Sequence, residues 1–104
     1  MINVLITKDG SGFSKIEVSG HSGYDIEGRD IVCASVSSAL TLTINGILTV
    51  AEAACTVDEK DVGVSVELIE SNDMAQNFIL AFCRHIELLI EDYSRYISLR
   101  YREV

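Results

Sequence analysis

The segment GHSGYDIEGRDIVCASVSSAL, residues 20–40, decides both the fold and the chemistry of this chain. It begins as a glycine-rich loop and continues as a long apolar stretch with helical spacing. Asp30 stands directly before that stretch, where an N-cap belongs, because its side chain can accept hydrogen bonds from the first free N–H groups of a helix. The segment therefore predicts a loop that leads into a helix beginning at Ile31.

Two residues of this segment form a candidate nucleophilic pair. Cys33 falls in the first turn of the predicted helix, where the positive end of the helix dipole favours a thiolate. The free N–H groups of that turn, that of Cys33 among them, could also hold a developing oxyanion. His21 lies at the start of the loop, and the glycines and aspartates that follow let the loop fold back and bring the imidazole to the sulfur. A cysteine and a histidine close enough to take its proton are the smallest set of side chains that makes a thiol nucleophilic.

The segment also carries a recognisable pattern. Its elements are Gly20-His21, Gly23-Tyr24, Gly28, Asp30-Ile31-Val32-Cys33-Ala34, Val36-Ser37 and Ala39-Leu40. Together they resemble the signature of the ribosomal-processing cysteine protease family, Prp. Ser22 stands where alanine is usual and Arg29 where lysine is common. Outside residues 20–40 the resemblance is one of length and element order.

The resemblance implies an activity and a partner. It implies a cysteine endopeptidase, a hydrolase that removes the N-terminal extension of a large-subunit ribosomal protein, with Cys33 as nucleophile and His21 as its base. It also implies a homodimer.

Three further residues have two interpretations each. Asp30 is either a plain helix cap or a third catalytic member that orients His21. Tyr24 and Ile26 either pack on apolar side chains of the substrate or anchor the loop. Gly20, with the other glycines, gives the loop the freedom to admit a substrate. We predict Gly20, Tyr24 and Ile26 as substrate-binding residues.

The composition of the chain limits the class of protein to which it can belong. The chain has 104 residues, 48% of them hydrophobic and 23% charged, which predicts one globular domain over residues 1–104. Its net charge of −8 argues against direct binding of nucleic acid. The charge suits a basic partner such as a ribosomal protein, although acidic residues also keep a small apolar domain soluble. Three cysteines without framework spacing indicate free thiols and a cytoplasmic location.

Neither a membrane segment nor a cofactor is expected. The first residues run directly into an alternating strand, so we expect no signal peptide. Residues 31–51 carry no charge, but serine, threonine and asparagine interrupt them, which predicts a central helix covered on several sides rather than a membrane span. No histidine or cysteine spacing matches a metal site, so we predict no metal and no cofactor.

The alternation of apolar residues predicts the order β-β-α-β-β-α-β. Strands are expected near residues 2–7, 13–19, 55–57, 62–68 and 97–101, with helices over about 31–53 and from Asp73. Short hairpins and two helices predict an α+β fold with two layers, a mostly antiparallel sheet with both helices on one face.

Two other functions fit the same residues. In the first, the chain is a non-enzymatic ribosome-associated binding protein or assembly factor, its acidic surface makes the contacts, and Cys33 is packing. In the second, Cys33 is a redox-sensing thiol, although no resolving cysteine is near it in sequence.

Overall fold

Five strands and two helices make up the computed structural model, which describes residues 1–104. The strands are β1 (Ile2–Asp9), β2 (Gly12–Ser19), β3 (Cys55–Lys60), β4 (Gly63–Leu68) and β5 (Ile97–Glu103). The helices are α1 (Ile31–Asn45), which continues into a π-helical turn over Gly46–Val50, and α2 (Asp73–Tyr93). The predicted element order is confirmed.

The strands form one sheet in the order β3-β4-β2-β1-β5. Hairpins pair β1 with β2 and β3 with β4, and β2 pairs with β4; all three pairs are antiparallel. Only β5 runs parallel to its neighbour β1, because α2 carries the chain across the sheet before it. The predicted mostly antiparallel α+β architecture is therefore confirmed.

The core lies between the sheet and the two helices. Alternate residues of the central strands point into it, and the intervening residues form the outer face of the sheet. Ile6, for example, is fully buried, and its cross-strand partner Ile16 is 1% exposed. The buried set is Ile2, Val4, Ile6, Ile16, Val32, Val36, Leu40, Ile47, Ala51, Ala53, Val66, Ala75, Ile79, Phe82, Cys83, Ile86 and Ile97.

Helix α1 changes its winding at Gly46, where the π-helical turn begins. The ring of Phe78 on α2 lies against the Gly46 backbone, so a side chain at this position would collide with it. The helix ends at Ala51, whose N–H donates to the carbonyl of Gly46, and therefore ends slightly earlier than the predicted residue 53. Close helix packing explains why a glycine with poor helix propensity occupies this place.

The expectation that α1 is covered on several sides is wrong. Its buried residues, Val32, Val36, Leu40 and Thr43, lie along one face. By length and composition Ile31–Val50 would pass as a membrane span, with a mean hydropathy of 1.8, and 33% of that window is buried. Helix α1 is thus a core helix whose second face is uncharged and open, with exposed apolar side chains among serine, threonine and asparagine.

Gly46→Ala tests the close contact between the helices. Overpacking against Phe78 is expected to lower the free energy of unfolding by about 1–3 kcal/mol, despite the better helix propensity of alanine. Urea denaturation measures the difference. Gly10→Ala is the matched control, because nothing lies within 4 Å of the added methyl group. Equal stability of the Gly46→Ala variant and the original chain would contradict the assigned packing.

Candidate active site

The site begins with Asp30, which caps α1. Its Oδ1 accepts hydrogen bonds from the N–H groups of Val32 and Cys33, each at 3.0 Å. The backbone of Asp30 is extended, so the residue stands outside the helix while its side chain turns back over the first turn. The cap fixes the start of α1 and with it the direction in which the Cys33 side chain points.

The loop of residues 20–29 folds back onto this helix start. The N–H of Ser22 donates to Cys33 Sγ at 3.4 Å, and the Ser22 hydroxyl donates to Asp30 Oδ2. The Ser22 oxygen also accepts the N–H of Tyr24 at 3.1 Å. This places the residue next to His21 directly on the sulfur.

His21 and Cys33 face one cavity of about 610 Å³. No hydrogen bond joins the two side chains, and His21 is exposed. The walls come from the loop and from the first two turns of α1: His21, Gly23, Asp25, Glu27, Gly28, Arg29, Asp30, Ile31, Cys33, Ala34 and Ser37. The structure therefore brings the predicted pair to one concave site.

Electrostatics at the site centre on Asp30. Desolvation works to raise the pKa of this carboxyl, but hydrogen bonds from the Ser22 hydroxyl and from the backbone and side chain of Cys33 outweigh it and lower the pKa to about 2. Asp30 is consequently a carboxylate at neutral pH.

The other two cysteines occupy different environments. Cys83 is fully buried on α2, and Cys55 packs against the core from β3. Burial raises the pKa of both thiols, which keeps them protonated and unreactive at neutral pH. Of the three cysteines, only Cys33 lines this cavity.

Comparison with known proteins assigns this arrangement to a family. The family model described as cysteine protease Prp matches residues 1–98. The chain belongs to this family. The resemblance noted in residues 20–40 therefore extends over nearly the whole chain, and the Prp-family fold carries a cysteine protease site.

Individual relatives agree in length and fold. The ribosomal processing cysteine protease Prp of Staphylococcus aureus is 27% identical over 106 residues, covering 98% of this chain and 100% of its own. A crystal structure of S. aureus Prp in complex with a covalently linked product peptide has a TM-score of 0.92 at 26% identity, covering 98% of this chain and 100% of that one. The S. aureus protease in complex with a substrate peptide has a TM-score of 0.86 at 25% identity and the same coverage.

The predicted substrate-binding residues of this Prp-family chain lie beside the cavity rather than in its wall. The Tyr24 ring makes edge-on contacts with Tyr93 and Tyr96, at centroid distances of 5.8 and 5.3 Å, and so anchors the loop to the end of α2. Gly20 adopts a φ of 85°, and a side chain there would meet the carbonyl of Met1. Ile26 is exposed. Binding of substrate by these three residues stays a prediction.

The predicted oxyanion donor needs a correction. The N–H of Cys33, like that of Val32, already donates to Asp30, and the N–H of Ala34 donates to the Asp30 carbonyl. In the first turn only the N–H of Ile31 has no partner within the chain. The sequence already implied this, because an N-cap at Asp30 takes up the first N–H groups of the helix.

Ser22 is a site residue that sequence reasoning missed. Its hydroxyl accepts a hydrogen bond from the N–H two residues ahead, a local turn that Ser favours and that could have been predicted. Its bonds to Asp30 and Cys33 cross the loop, and no spacing rule predicts them.

The lowered pKa of Asp30 makes stability depend on pH in a defined direction. Because the folded-state pKa of about 2 lies below the ordinary 3.8, ionisation of this carboxyl favours the folded state. The contribution is complete above about pH 4 and is lost as the pH falls towards 2. We expect Asp30→Asn to be less stable than the original chain at pH 7 and the difference to shrink between pH 4 and pH 2.

Chemical denaturation at a series of pH values measures this difference. Asp25→Asn, in the same loop, is the control, since the Asp25 side chain accepts only the N–H of its neighbour Ile26. A stability difference for Asp30→Asn that is constant from pH 7 to pH 2 would rule out the ionised cap.

Proposed function

We propose that this chain is an endopeptidase that removes the N-terminal extension of a large-subunit ribosomal protein. The observation that carries the proposal is the arrangement around Cys33 Sγ: a main-chain N–H donates to the sulfur, and His21 shares its cavity. Membership of the Prp family supplies the substrate class, since the S. aureus relative is a ribosomal processing protease.

In the proposed mechanism Cys33 is the nucleophile and His21 the base. His21 takes the thiol proton, and the sulfur attacks the scissile carbonyl carbon. When the tetrahedral intermediate collapses, the C–N bond breaks, and His21 returns the proton to the leaving amine. Water then cleaves the thioester. The covalently linked product peptide in the S. aureus relative supports a route through a covalent intermediate.

Asp30 acts in this proposal as a cap rather than as an orienter of His21. Both of its carboxylate oxygens are engaged, Oδ1 by two helix N–H groups and Oδ2 by the Ser22 hydroxyl. No hydrogen bond joins it to His21. Its contribution to catalysis would be to hold Cys33 in place.

The charge of the chain fits a basic peptide segment. Asp25 and Glu27 line the cavity together with Asp30, against a single arginine, Arg29. The net charge of −8 opposes contact with a nucleic-acid backbone. We therefore propose that the partner is the ribosomal protein itself and not ribosomal RNA. Three free cysteines support a cytoplasmic location.

We also propose a homodimer that forms through the open face of α1. Ile31 and Leu42, three turns apart, are 52% and 68% exposed, and Leu48 and Val50 in the π-helical turn are exposed as well, with serine and threonine side chains between them. No charged residue interrupts residues 31–51, so a contact between two copies through this helix would bury no charge of α1. The outer face of the sheet is a poorer choice, because Lys15, Glu17, Arg100 and other polar side chains cover it.

A cleavage assay tests the proposed reaction. A peptide that copies the extended N-terminus of the ribosomal protein is incubated with the purified chain and analysed by mass spectrometry. We expect one cut, and a loss of about a thousandfold or more with Cys33→Ser, because an alcohol without a matched base is a far weaker nucleophile. His21→Ala is expected to lower the rate by about 10²–10⁴-fold.

The other histidine of the chain provides the control. His85 is exposed on α2, away from the cavity, and His85→Ala should cleave at the original rate. Cleavage by Cys33→Ser at an undiminished rate would exclude Cys33 as nucleophile. Peptide that binds but is never cut would favour the alternative of a ribosome-associated binding protein or assembly factor.

The dimer surface can be tested with two matched substitutions. Leu42→Glu on α1 would bury a charge in the interface and is expected to raise the dimer dissociation constant at least about tenfold, as sedimentation equilibrium measures it. Val62→Glu changes a residue of nearly equal exposure, 67%, in the turn between β3 and β4 and should leave the dimer intact. Dissociation by Val62→Glu alone would place the interface elsewhere.

A further inference from the structure

The first half of the active-site loop has two sides. Within residues 21–25, His21, Gly23 and Asp25 line the cavity, whereas Ser22 and Tyr24 do not. These two residues make their contacts with the body of the protein instead, Ser22 with the start of α1 and Tyr24 with the end of α2. The side of the loop that carries the imidazole is therefore held in place by the contacts of the opposite side.

The Tyr24 ring contacts two other rings, and both contacts are edge-on. Its plane stands at 83° to the ring of Tyr93 and at 86° to the ring of Tyr96. The charge distribution of aromatic rings favours such near-perpendicular pairs. Two of them restrict both the place and the tilt of the Tyr24 ring, whereas a single contact would let it pivot.

The two partner rings form a firm support, which we call the tyrosine platform, Tyr93 and Tyr96. Both residues pack against the hydrophobic core. The N–H of Tyr96 donates to the carbonyl of Tyr93 at 2.9 Å, and the N–H of Ile2 donates to the carbonyl of Tyr96 at 2.8 Å, so the platform is tied to both α2 and β1. Tyr24 itself is 43% exposed. Loss of its ring would therefore free the loop and leave the platform in place.

We propose that Tyr24 is a positioning residue: its contact with the tyrosine platform holds the loop where His21 and Cys33 face the same cavity. Tyr24 lies only three positions after His21, so a shift of its ring is passed along the main chain to the imidazole. Ser22 lies between them, and the same shift would draw its main-chain N–H away from the Cys33 sulfur.

The inference rests on the proposed roles of Cys33 and His21 and goes beyond them. It makes catalysis depend on the junction of α2 and β5, which contributes no residue to the cavity wall. It also decides between the two interpretations of Tyr24, because a residue that acts through the loop and a residue that binds the peptide change different kinetic constants.

Peptide cleavage by Tyr24→Ala tests the proposal. We expect kcat to fall about ten- to a hundredfold, because the base is misplaced, while KM stays within about twofold. Tyr24→Phe should restore kcat, since the ring and not the hydroxyl makes both contacts. Tyr101→Ala is the matched control: it removes a tyrosine of similar exposure, 48%, from β5, and it should cleave at the original rate.

A double substitution tests whether Tyr24 acts through the platform. Tyr96→Ala removes one of the two supporting rings and should also lower kcat. In the Tyr96→Ala background, Tyr24→Ala should cost a smaller factor than it does in the original chain, because part of its contact is already lost. Equal factors in the two backgrounds would show that Tyr24 acts independently of the platform and would overturn the proposal.

Hydrogen exchange tests the same coupling without a peptide. The amide of Ser22 donates to the Cys33 sulfur, and its exchange is followed by NMR. We expect Tyr24→Ala to speed this exchange at least about tenfold, with Tyr24→Phe and Tyr101→Ala close to the original chain. Unchanged exchange in the interior of α1 shows that a variant is folded. Tyr24→Leu, which keeps an apolar side chain but no ring, takes the place of Tyr24→Ala if the alanine variant unfolds.

Two further outcomes would overturn the inference. If Tyr24→Ala raises KM and leaves kcat unchanged, the ring binds the peptide directly. If neither kcat nor the exchange of the Ser22 amide changes, the ring contacts do not position the loop. Absence of cleavage by the original chain would instead contradict the proposed substrate, and the exchange measurement would still test the role of Tyr24.

Discussion

The carboxylate of Asp30 is the interaction on which the site depends. One oxygen satisfies two N–H groups that would otherwise be unpaired at the start of α1, and the other holds the loop through Ser22. An N-cap of this kind stabilises a helix by about 1 kcal/mol. Here the same contacts also set the distance between the loop backbone and the Cys33 sulfur. The hydrogen bonds of Asp30 therefore both stabilise the helix and position the thiol.

The loop is held at three places, two of them by elements distant in sequence. At its start Gly20 donates its N–H to the carbonyl of Val62 in the β3–β4 turn, and its left-handed backbone passes close to Met1. In the middle the Tyr24 ring packs on the end of α2, and at its end Asp30 begins α1. Between these anchors Asp25, Ile26 and Glu27 are exposed, which leaves the cavity side of the loop free to meet a peptide.

Charge is distributed unevenly over the two layers. Arg102 and Lys15 pair with Glu17 on the outer face of the sheet, which gives that face a mixed and solvated surface. Helix α1 has no charge at all, and on the other side of the molecule it exposes apolar side chains together with serine and threonine hydroxyls. An exposed apolar patch of this kind in an otherwise acidic chain is typical of an interface. Since Ile31 belongs both to this face and to the cavity wall, a partner on α1 would also border the active site.

The sequence by itself determined the order of the strands and helices, the α+β class, the start of α1 at Ile31 and the place of Cys33 in its first turn, because capping, alternation and turn chemistry are local properties. Tertiary structure alone decided which face of α1 is open, since an uncharged helix gives no signal of its orientation. It also decided that His21 faces the same cavity as Cys33, that Tyr24 anchors on Tyr93 and Tyr96, and that Ser22 reaches the sulfur. These contacts join residues brought together only when the loop closes over the helix, and no periodicity records them.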